Sequence, residues 1–261
     1  MQSPDDLRAL IESYLDQTGG MLEHGSLGEP LRYALDGGGK RIRPVFCLAV
    51  AEAAGAPPPL AVPAAAAIEF VHTFSLVHDD LPALDDDDLR RGRPSVHVQF
   101  GEAVAILVGD ALLSHAFLLA TSYEPDLVKR LVDELGNATA NMIRGQHMEL
   151  SAEAQDIEVL HALKTGGLFV AAAGCGLHVA GVSDARQAPY RAFAQDFGLL
   201  FQIVDDILDG DGVVHERGLD GARSLAEEVE GRSRAALAEI DADTSVLAEL
   251  VSGLSARAAG R

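Results

Sequence analysis

The stretch AAAAIEFVHTFSLVHDDLPALDDDDLRRGRP, residues 64–94, runs from an apolar helical pattern straight into six aspartates within positions 78–88, and then into three arginines. Its first half is rich in alanine and shows no alternating strand pattern, so it reads as helix. Its second half is either a solvated charge run or a site for metal and phosphate. Carboxylates that emerge from a buried helix are expensive unless something compensates them, and metal coordination is one of the few things that does.

The rest of the chain reads the same way. Its 261 residues are 48% hydrophobic and 23% charged, with no tryptophan. Helical periodicity recurs between Gly and Pro punctuation such as GGG at 37–39 and APPPL at 56–60, which predicts an all-α, multi-helix bundle in a single domain, 1–261. Segments 101–121, 164–181 and 191–209 are apolar nearly all round and are expected at the centre of the bundle. GDGVVHERGLDGARS, 210–224, carries four glycines and reads as a mobile loop before two polar closing helices.

Forty acidic against twenty basic residues give a formal charge of -20, a field that repels nucleic acid and anionic membranes. Cys47 and Cys175 lie far apart in apolar surroundings and read as buried free thiols, in keeping with a reducing cytoplasm. The start, MQSPDDLRAL, has no basic leader, and the apolar tract 103–120 is interrupted by Asp110 and His115 and short for a span, so no stable membrane insertion is expected.

A second acid cluster decides how the first is read. In QIVDDILDGDG, Asp205 and Asp209 are four apart and share one helix face at the end of the apolar run FGLLFQIV. Carboxylate pairs that leave room for water and phosphate suit magnesium better than zinc. In the first cluster Asp79 and Asp85 are six apart, roughly 240° round an ideal helix, whereas Asp86 faces the same way as Asp79. Pro82 lies between and disturbs the ladder, so helix geometry leaves Asp85 and Asp86 both open. Basic clusters complete the pattern: GGGKRIRP sets Lys40, Arg41 and Arg43 beside a glycine run, with a helix starting near Pro44; LRRGRP adds Arg90, Arg91 and Arg93; LKTGG adds Lys164 and Thr165. Acid clusters for metal and basic clusters for phosphate in one acidic chain point to a diphosphate substrate bridged by magnesium.

Six pieces in order, GGGKRIRP, HTFSLVHDDLPALDDDDLRRGRPSVH, GEAVAILVGDALL, GQHMEL, KTGGLF and FGLLFQIVDDILD, resemble the trans-prenyl diphosphate synthases (polyprenyl synthetases), most closely bacterial farnesyl diphosphate synthases. The resemblance implies helices around a deep central cavity with the two acid motifs facing each other across its mouth. It places the first motif on Asp79, Asp80 and Asp85 and the second on Asp205, Asp206 and Asp209, with magnesium on Asp79, Asp85, Asp205 and Asp209. It also implies that Arg90, Lys164, Thr165 and Gln202 hold the allylic diphosphate, and that Lys40, Arg43, His72 and Arg91 hold isopentenyl diphosphate. On that resemblance Asp79, Asp80, Asp85, Asp205, Asp206 and Lys164 form the catalytic set, and the enzyme is a homodimer. Phe74, about one turn below Asp79, is expected to line the cavity and block a growing chain, and the resemblance implies that an aromatic there is a farnesyl-producing pattern.

The sequence departs from the family after the second motif. HERGLDGARS carries Arg217 and Arg223 where lysines are usual, about one helix is expected to be missing near the end, and GQHMEL has Glu149 for the usual Asp. Three competing readings are a geranylgeranyl diphosphate synthase, a non-catalytic partner subunit and a class I terpene cyclase. The cyclase has no use for GGGKRIRP, because it holds no second diphosphate.

Overall fold

The computed structural model describes residues 1–18, 25–151, 162–258 and 260, and these form eleven α-helices. In chain order they are α1 (Pro4–Thr18), α2 (Gly28–Leu35), α3 (Ile42–Ala53), α4 (Pro58–Asp79), α5 (Val96–Phe100), α6 (Glu102–Ala120), α7 (Pro125–Leu150), α8 (Gly167–Val179), α9 (Ala188–Asp209), α10 (Val213–Ala238) and α11 (Ser245–Ala258). A π-helical turn, Ala162–Gly166, leads into α8. The all-α expectation holds, with one small hairpin, β1 (Leu89–Arg90) against β2 (Arg93–Pro94). Arg91 and Gly92 at its tip both take positive φ, the geometry of a tight two-residue turn.

The central helix is α4, which packs on α3, α6 and α8, while α9 packs on α8 and α10. Alanine and glycine let these helices approach closely. Ala64 to Ala67 are buried, and a Cβ on Gly176 of α8 would lie 2.6 Å from the Cys47 carbonyl oxygen of α3. Where α3, α8 and α9 meet, Phe46 stacks on Phe197 at 4.7 Å and meets Phe169 edge-on at 5.6 Å. Near Pro63 the α4 ladder opens, and the Tyr123 hydroxyl fills the gap: it accepts from the Ala64 N–H (3.1 Å) and donates to the Leu60 carbonyl (2.8 Å). Both cysteines are free and buried, as expected.

Two expectations need correcting. First, α6 is not wholly central, because Ile106, Leu107 and Leu118 are exposed at 46%, 54% and 59%. An all-round apolar pattern cannot tell a helix buried by its own chain from one with an outward apolar face. Both α4 and α6 are long and apolar enough to cross a membrane by length and composition, and α4 is mostly buried in the bundle. Second, most of 210–224 is helix. The loop shrinks to the turn at Gly210 and Gly212, and α10 is interrupted only at Gly218 (φ 70°, ψ 166°). Its buried stripe of Val213, Ala222, Ala226 and Val229 supplies the packing that outweighs its glycines. The helix expected to start near Pro44 is α3, which begins at Ile42.

Candidate active site

Helix α4 delivers the first acid cluster by ending. It stops at Asp79, so Pro82 lies beyond it and kinks nothing. The chain folds back on itself: the Asp85 N–H donates to the Asp79 carbonyl (2.9 Å), and the Asp87 N–H to the Asp80 carbonyl (3.2 Å). This return puts Asp85 beside Asp79, a pairing that helix periodicity alone assigned to Asp86. Asp86 instead takes a positive φ, though Asp85 and Asp86 are both exposed. Burial pushes the Asp79 carboxyl up to about 6, opposed by the charges of Lys164 and Arg90 and reinforced by Asp85 and Asp80. Asp80 is almost fully buried and holds Arg90, accepting from its Nε at 2.9 Å, and Asp87 accepts from the same guanidinium at 3.1 Å.

A basic cleft of about 620 Å³ opens between the 38–43 segment, α4, the hairpin and α9; Lys40, Arg43, His72, Arg90, Arg91, Gln202 and Asp205 all reach it. Arg43 is buried with its guanidinium over the rings of Phe169 (5.0 Å) and Phe201 (5.3 Å), and burial lowers its pKa to about 10, so it stays charged at neutral pH. Its Nη1 donates to His72 Nε2 at 3.3 Å. A guanidinium can only donate, so this His72 nitrogen must accept. Burial and the charges of Arg43 and Arg91 hold His72 well below the ordinary histidine pKa, which keeps the ring neutral. Gly39 earns its place by proximity: a Cβ there would meet Arg91 Nη1 at 2.8 Å.

The second cluster splits by role. Asp205 faces the cleft and accepts from Arg257 of α11 at 3.1 Å; burial raises its pKa and Arg257 pulls it back. Asp206 is buried, with one carboxylate oxygen accepting from Gln202 Nε2 (2.8 Å) and the other from the Val213 N–H (2.9 Å). That geometry makes Asp206 the clasp between α9 and α10. Asp209 is exposed at the end of α9 and acts on Lys40 through its charge. Thr165 donates to Gln202 Oε1 (2.7 Å), tying the turn before α8 to α9, while Lys164 pairs with Glu149.

Below Asp79 lies an apolar pocket of about 270 Å³, lined by Phe74, Met142, Ile143 and Leu150 with Asp79 and Lys164 among its polar members. Phe74 is buried and meets the His78 ring edge-on at 5.6 Å. The structure therefore sets Asp79, Lys164 and Phe74 on one pocket and the Lys40, Arg43, His72 and Arg91 group on another, with Arg90 in the cleft and electrostatically coupled to Asp79.

Three residues escaped the sequence reading: Gln146, whose Nε2 donates to Asp85 Oδ1 (3.1 Å); Arg257 on Asp205; and Glu69, which grips Arg41; Glu149, read there only as a departure in GQHMEL, pairs with Lys164. Only Gln146 and Glu149 carried a signal, since both sit in GQHMEL. Arg217 and Arg223 lie on α10, outside the lining of the cleft.

Among the described residues no three ligating side chains converge tightly enough to hold a metal alone. The carboxylates present, Asp79 with Asp85 and, from the other helix, Asp205, offer hard oxygen donors. Burial leaves Asp79 and Asp205 short of compensation. That set fits a divalent cation that prefers oxygen and completes its shell with water and substrate.

The polyprenyl synthetase family model matches residues 24–218. Heterodimeric geranylgeranyl pyrophosphate synthase large subunit 1, chloroplastic, of Arabidopsis thaliana is 40% identical over 90% of this chain and 72% of that protein. Farnesyl diphosphate synthase of Geobacillus stearothermophilus is 42% identical over 74% of this chain and 69% of that protein. A crystal structure of a geranyltransferase from Legionella pneumophila superposes with a TM-score of 0.91 at 30% identity, covering 98% of this chain and 96% of that one. The chain spans 54% to 72% of the length of its curated relatives, whereas it covers nearly all of that solved one. Matched along most of its length in sequence and nearly all of it in fold, the chain belongs to the polyprenyl synthetase family of prenyl-group transferases.

Proposed function

We propose that the chain is a magnesium-dependent prenyltransferase that condenses isopentenyl diphosphate with dimethylallyl or geranyl diphosphate to a short-chain prenyl diphosphate. The observation that carries this is the juxtaposition of a basic cleft with a carboxylate, Asp79, that is partly buried at the head of an apolar pocket. Lys40, Arg43, His72 and Arg91 hold the isopentenyl diphosphate; Arg90, Lys164, Thr165 and Gln202 hold the allylic one. Asp79, Asp85 and Asp205 hold magnesium, with Asp209 at the rim. When bound, the metal supplies charge neutralisation for the departing diphosphate. Asp80 and Asp87 fix the Arg90 fork beforehand, so its charge needs no reorganisation as the diphosphate leaves. The apolar walls keep water from the allylic cation, the isopentenyl double bond attacks it, and the proton leaves to the released diphosphate. Lys164 must exchange Glu149 for phosphate oxygens when substrate arrives.

Farnesyl diphosphate is the product we favour, because the Phe74 ring walls the pocket beneath Asp79. Relatives named for both farnesyl and geranylgeranyl products make the longer chain the alternative. We further propose a cytoplasmic homodimer built on the exposed apolar residues Ile106, Leu107 and Leu118 of α6 and Ile143 of α7. A net charge of -20 disfavours an anionic membrane as the partner of that face.

The purified chain, incubated with geranyl and isopentenyl diphosphates and Mg2+, should yield farnesyl diphosphate by mass spectrometry, and should yield nothing without either diphosphate or with chelator. Release of a hydrocarbon from the allylic diphosphate alone would point to a cyclase, and no product in any mixture would point to a partner subunit.

A further inference from the structure

Arg41 stands between Lys40 and Arg43 yet is spent on the protein itself. Its Nη1 donates to Glu69 Oε1 on α4 (2.6 Å), its Nε to Glu12 Oε1 on α1 (2.8 Å), and its Nη2 to the Leu35 carbonyl at the end of α2 (2.6 Å). Arg41 and Glu69 are both almost fully buried. The backbone of Arg41 is left-handed (φ 49°, ψ 32°), a conformation that side-chain-bearing residues adopt only when their surroundings hold them there. From this anchored residue Lys40 and Arg43 both reach the cleft, and a fourth contact, Arg8 Nη2 to the Lys40 carbonyl (2.9 Å), pins the same turn to α1. Buried ion pairs are weak evidence for stability, and a well-attested use of them is to fix one arrangement among several.

We infer that Glu69 is a positioning residue for the basic cleft: by holding Arg41 in the wall of the bundle it sets where Lys40 and Arg43 present their charges to a diphosphate. The inference rests on reading the cleft as a diphosphate site. It also makes a distinctive demand on sign. Glu69 attracts Arg43 and Arg91 as well as Arg41, so it is a negative charge beside an anion site. If it only modulated the field, removing its charge would tighten anion binding. If it positions, removing it weakens binding despite the favourable change in charge.

Calorimetric titration of inorganic pyrophosphate into the full chain, without divalent metal, separates these outcomes. The wild-type chain is expected to bind, and a wild-type chain that binds none overturns the diphosphate reading of the cleft and this inference with it. Glu69→Gln keeps the size and an acceptor but not the charge, and is expected to bind roughly tenfold more weakly, with Glu69→Asp recovering part of the loss. Glu12→Gln, at the 40%-exposed second acid on Arg41, gives a milder probe that leaves the buried pair intact and is expected to weaken binding about twofold. Wild-type pyrophosphate binding with equal or tighter binding in a folded Glu69→Gln, or in Glu12→Gln where Glu69→Gln does not fold, overturns the positioning role and leaves the cleft's ligand as proposed.

Discussion

At neutral pH the ionised Asp79 side chain is a burden on the fold. Burial raises its pKa from 3.8 to about 6, so the folded protein disfavours the charged form by about 3 kcal/mol relative to the unfolded chain. For a carboxyl with a raised pKa the cost is fully present above about pH 6, shrinks as pH falls through 6, and is gone below the unfolded value of 3.8, where both states are protonated. In chelator, Asp79→Asn should therefore raise the thermal midpoint by roughly 5 °C at pH 8 and leave it nearly unchanged at about pH 3. The same variant should abolish condensation; a melting curve at pH 8 no higher than wild type would contradict the electrostatic account. Phe74→Ala, by opening the pocket under Asp79, should extend the product by at least one isoprene unit, read by mass spectrometry, and destabilise by about 3 kcal/mol. The residue types of the site were readable from clustering, but periodicity did not give the partner of Asp79, and only the family resemblance pointed to Asp85. Periodicity assumes that a helix continues, and this one ends at Asp79, so the chain's return through Leu84 brings Asp85 and not Asp86 alongside.

Among the elements, α10 shows where local signals mislead. Glycine at 210, 212, 218 and 221 argued for a loop, and propensity alone would make one. What the local pattern does not contain is the clasp by Asp206 and the apolar stripe on α10, both of which act through α9. Gly212 makes the clasp possible: at φ 48°, its Cβ would fall 2.3 Å from Asp206 Oδ2. Gly212→Ala should cost about 2 kcal/mol or more in chemical denaturation and lower activity with it, since Asp206 also holds Gln202. Gly231, with open space around it in the middle of the same helix, should behave oppositely, Gly231→Ala stabilising by about 0.5–1 kcal/mol. If both substitutions act alike, Asp206 is not what starts α10.

Across the whole molecule, the fold class was plain in the sequence because nearly every segment repeats at helical spacing, and the central places of α8 and α9 follow from apolar patterns that the bundle buries. The outward face of α6 was not, because an all-round apolar pattern reads the same whether the chain's own helices cover every side or leave one exposed. That face gives a prediction at this scale: Leu107→Glu with Ile143→Glu should halve the mass seen by sedimentation equilibrium, from two chains to one, without unfolding the helices. A single-chain mass for the unsubstituted protein would remove the dimer.

The central claim is that two acid clusters, one where α4 ends and one near the end of α9, hold the metal that binds an allylic diphosphate beside the basic cleft. Anomalous diffraction from crystals soaked with Mn2+ and a non-reactive thiolo analogue of geranyl diphosphate tests it most directly. Manganese peaks bonded to Asp79 and Asp85 on one side and to Asp205 on the other, bridged by the diphosphate, are the predicted result. Peaks confined to the exposed Asp86 and Asp88, or no peak where Asp79 meets the analogue, would contradict it.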